Sequence, residues 1–380
     1  MSKTTQTTYP GPGDLPDEDD LGVAEPIADP TQHELFKGGF PSIVNQYPQL
    51  RFMGSKYRLL PWIHKILSNL DFDSALDAFS GSCSVAYLLK AMGKQVLTND
   101  FLNLSMTVAK ALIENPSEQL SEKHLHKLLK YDPHHKHFIE RTFSGIFYTQ
   151  HDLRFLDRTI WNIRKLENEY EKSIALAALI RSCVKRQPRG VFTIAGDPDH
   201  YKDGRRDLQL TLKEHFLEQV EVYNQATFDN SRQNKSYHGD IYDWNGDAVD
   251  LVYMDPPYVP RSDDNCYMKR YHFLEGLSCY WEGMSIMPET RVKKIEKPYT
   301  PFSYRRTAID AFDRMFLKFA DSTLVLSYSS NGYPDLNELK RLMKRYKQSV
   351  EVFERAHRYH FGTHNAVKRA QVQEYLIVGY

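Results

Sequence analysis

A chain of 380 residues and 44.4 kDa is long enough to bury one large α/β core with an insertion, or two domains. Its 49 basic residues balance 49 acidic ones, yet residues 1–32 hold seven acids and one base, which leaves a modestly basic body at +6, compatible with a polyanionic partner. No apolar leader segment opens the chain and no window reaches the roughly eighteen apolar residues of a membrane span, so a cytoplasmic protein with no membrane association is expected.

In chain order, residues 1–47 are expected to be a disordered acidic N-terminal tail. The opening stretch to Gln32 is rich in Pro, Gly, Thr and Asp and nearly lacks large apolar residues. From about Ser42 strand-like and helix-like segments alternate, the pattern of a parallel sheet with crossover helices. "SALDAFSGS" precedes the helical "VAYLLKAM", and "QVLTND" follows at the interval of one βαβ unit. Residues 116–235 read as helix-rich, with "FLDRTIWNIRKLENEY" and "KSIALAALIRSCVK" at helical periodicity and basic loops between. After Gly239 the alternation resumes through "DAVDLVYMD", "STLVLSYSS" and "EYLIVGY". The fold class is therefore α/β, one domain from residues 48–115 and 236–380 interrupted by a helix-rich insert.

Three stretches carry chemistry. "DAFSGSCSV", Asp77 to Val85, sits where a first strand turns into its helix, and its small residues let a ligand approach free N–H groups. "VLTND" ends a second strand on Asp100, nineteen residues after Gly81, a spacing that suits either a ribose-binding acid or a helix N-cap. "DLVYMDPPYVPR" runs a buried strand into Asp255, Pro256, Pro257 and Tyr258. The two prolines fix φ, remove N–H donors and force a stiff extended corner at a strand end, where open α/β sheets bind ligands.

Other clusters carry less. The histidines between His124 and His137 match no standard ligand spacing, and the four cysteines lack C-x-x-C spacing, so neither a metal site nor a disulfide framework is expected. "RSCVKRQPRG" holds four bases and no acid, which suits an exposed loop or a DNA contact by Arg186 and Arg189. "RVKKIEKPYTPFSYRR", Arg291 to Arg306, mixes bases with tyrosines and suits a surface loop or the wall of a DNA cleft.

"RFMGSKYRLL" at Arg51 to Leu60, then "DAFSGSCSV", Asn99–Asp100, a long insert, "HGDI" at His238 to Ile241 and "DPPY" at Asp255 to Tyr258 closely resemble, in kind and in order, the Dam-like (alpha-group) DNA adenine-N6 methyltransferases. The resemblance covers roughly residues 48–380 and implies a Rossmann-like S-adenosylmethionine-dependent methyltransferase sheet, with 116–235 as the target-recognition insert. It implies that Phe52, Gly54, Lys56, Asp77 and Gly81 contact S-adenosylmethionine, that Asp100 holds its ribose, and that Asp240 and Ile241 meet its adenine. The implied partner is double-stranded DNA, with a cognate restriction endonuclease if the enzyme is not solitary. Cys83 departs from the family's loop, which usually has a glycine there. A side chain disfavours the positive φ that glycine allows, which puts cofactor affinity at issue.

The resemblance also gives the Pro-Pro corner a purpose. Adenine N6 is a poor nucleophile because its lone pair is delocalised; Asp255 and the Pro256 carbonyl would accept hydrogen bonds from the amino group and aim that lone pair, while Tyr258 stacks on a flipped base. Asp at 255 favours adenine over cytosine N4, where Ser is frequent. A catalytically inactive nucleic-acid-binding relative would be expected to lack Asp255 or Lys56, and both are present.

Overall fold

The computed structural model describes residues 39–196, 204–260, 267–358 and 371–380. Nine strands among them are β1 (Ser74–Asp77), β2 (Gln95–Asp100), β3 (Lys235–His238), β4 (Leu251–Met254), β5 (Val259–Pro260), β6 (Thr323–Ser329), β7 (Gly332–Tyr333), β8 (Val350–Arg358) and β9 (Gln371–Gly379). Seven form one sheet in the order β3-β2-β1-β4-β6-β9-β8, while β5 and β7 pair separately. The first five strands of the sheet run parallel, as the alternating pattern predicts, and β9 and β8 close the edge antiparallel. β1 connects to β2 on one side and has β4 on the other, so the direction of strand addition reverses between β1 and β4 and opens a crevice at their carboxyl ends.

Alternation along the strands divides the core. Ala75, Val96, Leu251, Tyr253 and Val325 belong to one buried cluster; Leu76, Leu97, Val252, Met254, Leu324 and Leu326 belong to the other. The second face is covered by helices α11 (Arg305–Lys318) and α12 (Leu336–Met343), through Phe312, Met315, Phe316, Leu339 and Leu342. The first is covered by α1 (Leu60–Leu67), α2 (Ser84–Ala91), α3 (Asn103–Ala109) and α10 (Tyr267–Cys279).

Between residues 116 and 235 lie α4 (Glu122–Leu129), α5 (Phe138–Thr142), α6 (Gln150–Ile163), α7 (Glu169–Arg186), α8 (Arg206–Gln209) and α9 (Leu212–Ala226). These helices carry N-caps where the sequence offers Ser121, Thr149, Asn168 and Thr211, the last in a full capping box with Glu214. Apolar residues of the connections join the first core cluster as well: Phe143, Phe147 and Phe192 meet Phe273 of α10 at centroid distances of 4.9, 5.4 and 5.2 Å. Lys90, fully buried on α2, donates to the carbonyls of Leu112 and Asn115 at 2.9 and 2.7 Å, and burial lowers its pKa to about 7. It is a tie between elements, not a chemical group at the site.

Three expectations need revision. Residues 1–38, with the acidic tail, lie outside the described residues, but 39–47 belong to the folded body: Val44 and Tyr47 are buried, and Tyr47 packs on Tyr87 of α2 at 5.3 Å. The apolar residues of "FPSIVNQYPQL" explain why the body starts before residue 48. β9 holds most of "EYLIVGY", as expected, but its antiparallel partner β8 was not singled out, because "VEVFERAHR" has no long apolar run. Most of "RSCVKRQPRG" is helix, and Arg186 is 6% exposed, facing the Asp152 carboxylate at 3.4 Å and the Leu208 carbonyl. It does not present its guanidinium to solvent as a DNA contact would require; Arg189, past the helix end, is exposed.

Removing a partner from a buried charge pair leaves the other uncompensated. Arg186→Ala is therefore expected to cost about 3 kcal/mol of stability, near the lower end for such pairs because Asp152 keeps the Leu212 N–H at 3.0 Å. Arg189→Ala is expected to move it by less than about 0.5 kcal/mol, the surface range. Urea denaturation of both variants checks the pair.

Candidate active site

The crevice is built by backbone continuing beyond three strands. Ala78 N–H donates to the Tyr253 carbonyl at 2.9 Å, Ser80 N–H to Asn99 at 3.0 Å and Gly239 N–H to Asp100 at 3.0 Å, so the loops after β1, β2 and β3 are fixed to one another. Asp77, Asp100 and Asp255 stand at the ends of β1, β2 and β4 and line one cavity with Lys56.

Asp255 is held from across the chain. Lys56 Nζ lies 2.8 Å from both carboxylate oxygens and 3.2 Å from the Gly54 carbonyl, and Lys56 is only 5% exposed. Burial by itself would lower the ammonium pKa, but the Asp255 carboxylate, with Glu374 behind it, reverses the balance and raises it, so Lys56 stays charged. Burial pushes the Asp255 carboxyl up, and Lys56 pulls against that rise. The corner is also pinned on its far side: β5, directly after Tyr258, pairs antiparallel with β7, and Tyr258 sits 5.0 Å from Tyr328.

Asp77 is a strongly perturbed carboxyl beside two other acids. Burial first, then the charges of Asp255 and Asp100, lift its pKa to about 8. Its Oδ2 accepts from Ala86 N–H in the first turn of α2 at 3.2 Å, while Oδ1 is buried with no partner among the described residues, as is Ser80 Oγ. Asp100 accepts from Gly81 N–H at 2.8 Å and Leu102 N–H at 2.9 Å, and burial lifts it to about 6. Asp100 thus does act locally as a loop anchor, and two bonds leave lone pairs for hydroxyl donors.

Around these charges the walls are aromatic. Phe52 stacks on Tyr271 at 5.1 Å and 9° and on Tyr267 at 5.4 Å and 26°, while Tyr271 accepts from Met53 N–H at 2.8 Å. A Cβ on Gly81, at φ +49°, would stand 3.2 Å from the Phe52 ring, which is why the loop is glycine there. Cys83 takes the left-handed conformation that its side chain was expected to resist, φ 63° and ψ 18°, with its thiol buried. Holding a residue with a side chain in that conformation costs roughly 1–2 kcal/mol.

A second cavity of about 520 Å³, within the range of small-molecule sites, adjoins the first and shares Phe79, Asp100, Phe101 and Pro257 with it. Asp240 and Ile241 line it; Asp240 also caps its own turn through Tyr242 N–H at 2.9 Å. The sequence reading thus converges: Phe52, Gly54, Lys56, Asp77, Gly81, Asp100, Asp255 and Pro257 meet in the first cavity, Asp240 and Ile241 in the second. Pro256 is buried behind the corner and Tyr258 is half-buried at its rim.

Several residues were missed. Glu275, buried on α10, accepts from the N–H groups of Asn103 and Leu104 and from Asn103 Nδ2, each at 2.9 Å, capping α3 beside the second cavity. A lone acid inside the apolar "YHFLEGLS" was the available signal. Glu374, buried on β9, influences both members of the Lys56–Asp255 pair and had no sequence signal. Among the described residues there is no cluster of metal-ligating side chains, and Cys83, Cys183 and Cys279 are free thiols; Cys266 lies outside them.

Strand order, an acid-lined crevice at the reversal point and an Asp-Pro-Pro-Tyr corner facing it define a methyltransferase of the Rossmann-like type. Residues 52–311 match the family described as D12 class N6 adenine-specific DNA methyltransferase, and the chain belongs to that family. It is 29% identical over 328 residues to the type II methyltransferase M2.HphI of Haemophilus parahaemolyticus, covering 83% of this chain and 93% of that one. It is 25% identical to the type II methyltransferase M.FokI of Planomicrobium okeanokoites, covering 86% of this chain and 52% of the relative. To the modification methylase StsI of Streptococcus sanguinis it is 25% identical, covering 78% and 46%. The chain therefore spans nearly all of the first relative and about half the length of the other two.

The raised pKa of Asp77 has a stability consequence. Unfolded, the group titrates near 3.8; folded, near 8, so its contribution is intact at low pH and is lost as pH rises through about 8. Asp77→Asn, which keeps an acceptor for Ala86, is expected to raise the melting temperature of the unliganded protein at pH 8.5 by more than at pH 5.5. Equal shifts at the two pH values, read by differential scanning fluorimetry, would contradict the assignment.

Proposed function

We propose that this chain methylates adenine N6 at a specific duplex DNA sequence with S-adenosylmethionine as donor, and that it is the modification partner of a restriction endonuclease of the same specificity. The observation that carries the reading is the ammonium-clamped carboxylate on a Pro-Pro corner that opens onto an acid-lined cleft. The relatives' names, type II methyltransferases and modification methylases, support the pairing with an endonuclease. The early placement of "GSK", with the insert before "DPPY", supports the alpha-group order.

The cleft suits this cofactor. Three carboxylates face one ammonium, and the buried, unpartnered Asp77 Oδ1 and Ser80 Oγ call for a ligand bearing positive charge and N–H donors. Asp77, Ser80, Gly81 and the Phe52 wall would hold its amino-acid half, Asp100 its ribose, and Asp240, Ile241 and Phe101 its adenine. When bound, the cofactor supplies a methyl group already activated on a sulfonium.

The chain's own residues then address the weak nucleophile. Asp255 and the Pro256 carbonyl would accept hydrogen bonds from the two N6–H groups and orient the nitrogen lone pair, and proline's fixed φ holds both acceptors without ordering cost. Lys56 keeps Asp255 ionised, so that it accepts and does not donate. Its proposed role therefore lies with the catalytic carboxylate as well as the cofactor wall. Tyr258, at the rim, offers a stacking face to the flipped base. Arg189, exposed beside Gly190 whose Cβ position lies 3.3 Å from Arg51, is the remaining arginine of the pair proposed to touch DNA.

Asp255→Ala is expected to abolish methyl incorporation into DNA while calorimetric cofactor affinity stays within about tenfold. Lys56→Met removes the charge that opposes burial, so the Asp255 carboxyl climbs and a larger fraction is protonated at neutral pH. The acid limb of the pH–kcat profile is expected to move to higher pH. A limb that stays in place would show that Lys56 does not control this carboxylate.

A further inference from the structure

Residues 283–306 leave the end of α10, cross the second cavity and enter α11. Gly283, Met284, Ser285 and residues 295–302 form that cavity's outer wall. The strap folds back on itself: Ile286 bridges Ile295, and Met287 N–H donates to the Lys294 carbonyl at 2.7 Å. Val292, Ile295 and Phe302 are buried and anchor its inner side.

Its outer side is unlike an ordinary loop. Tyr299 and Tyr304 are 61% and 40% exposed, yet their rings stack on each other at 5.4 Å and 17°, with Lys297 Nζ 5.7 Å from the Tyr304 centroid. Across 285–306 six bases (Arg291, Lys293, Lys294, Lys297, Arg305 and Arg306) stand against Glu289 and Glu296, a local net of +4 in a chain whose total is zero. The strap also ends at the catalytic rim. The Arg305 guanidinium lies 4.6 Å from the Tyr333 centroid, and Tyr333 pairs with Val259, the residue after Tyr258. A preformed, solvent-facing aromatic pair among cations, one step from the corner that receives the flipped base, has the composition of a nucleic-acid strand site.

We propose that the outer face of this strap binds the DNA strand that carries the target adenine, immediately beside the extruded nucleotide. Tyr304, backed by Tyr299, stacks on a flanking base that extrusion leaves unstacked; Lys297, Arg305 and Arg306 neutralise the phosphates on either side. The proposal rests on the adenine-methylation reading of the same cleft. It assigns DNA contact to a segment after the Asp-Pro-Pro-Tyr corner, outside the 116–235 insert.

The test uses the full chain and unmethylated chromosomal DNA, with methyl incorporation from labelled S-adenosylmethionine. Tyr304 lies on the strap but not on the cavity wall, so Tyr304→Ala is expected to raise the KM for DNA about tenfold or more, the loss of one base–aromatic stack, while cofactor affinity without DNA stays within about twofold. Tyr304→Trp, which keeps an aromatic face, is expected to restore the KM; this rescue separates stacking from a folding defect. Arg305→Ala with Arg306→Ala is expected to flatten the slope of log affinity against log salt by about two for a duplex probe. If variants that melt like the parent keep the parental KM and salt slope, or if tryptophan fails to rescue, the strap does not bind the strand. No methyl label in adenine with the parental protein would instead overturn the reading of the cleft itself.

Discussion

Three carboxylates converge at the carboxyl ends of β1, β2 and β4, and a single ammonium, Lys56, is set among them. Burial is the first cause that lifts Asp77 to about 8 and Asp100 to about 6; the charges of Asp255 and Asp100 add to the rise at Asp77, and that of Glu275 adds to the rise at Asp100. Such a cluster is poor design for stability, because buried charge costs desolvation that a single pair barely offsets. It is good design for holding a cation. A positively charged ligand in such a crevice would relieve this unfavourable electrostatic energy. Lys56 limits this arrangement to two acids, because it pairs with Asp255.

What the sequence disclosed follows from how far each feature reaches. The β1–α2–β2 unit and β4 were legible because period, length and Pro or Gly punctuation are local properties. The Asp-Pro-Pro-Tyr corner was legible because two prolines leave the backbone few options. The pairing of Lys56 with Asp255 was not, since it joins residues separated by 199 positions, and neither was the proximity of Glu374 on β9. Arg186 misled for a related reason. A run of bases without acids looks solvated, yet its countercharge, Asp152, lies 34 residues away on α6. Charge runs report local composition, whereas burial depends on partners that arrive through the fold.

The helical insert is continuous with the catalytic body. Phe273 of α10 is surrounded by aromatic rings of the insert, and Arg181 of α7 donates to the Gln49 carbonyl at 3.1 Å, close to the segment that carries Phe52 and Lys56. Tyr148 adds a buried bond to the Cys183 carbonyl at 2.8 Å. A packed interface of this kind transmits displacement, because interiors at crystal-like density have little free volume to absorb it. Changes in the insert are therefore felt at the Phe52 wall, even where no insert side chain lines the cavity.

The strand order has a consequence for assembly. β9 lies between β6 and β8, so the last stretch of the sheet completes an inner position and not an edge. Residues around Lys56, Asp255 and Glu374 must all arrive before the charge balance of the crevice is complete, and closing loops of such length costs entropy that only late contacts repay. Nascent or partly unfolded chains thus carry Lys56 and Asp255 before β9 brings Glu374 beside them. Protection of backbone amides along β9 from solvent exchange would report the closure of the catalytic crevice as faithfully as any probe placed inside it.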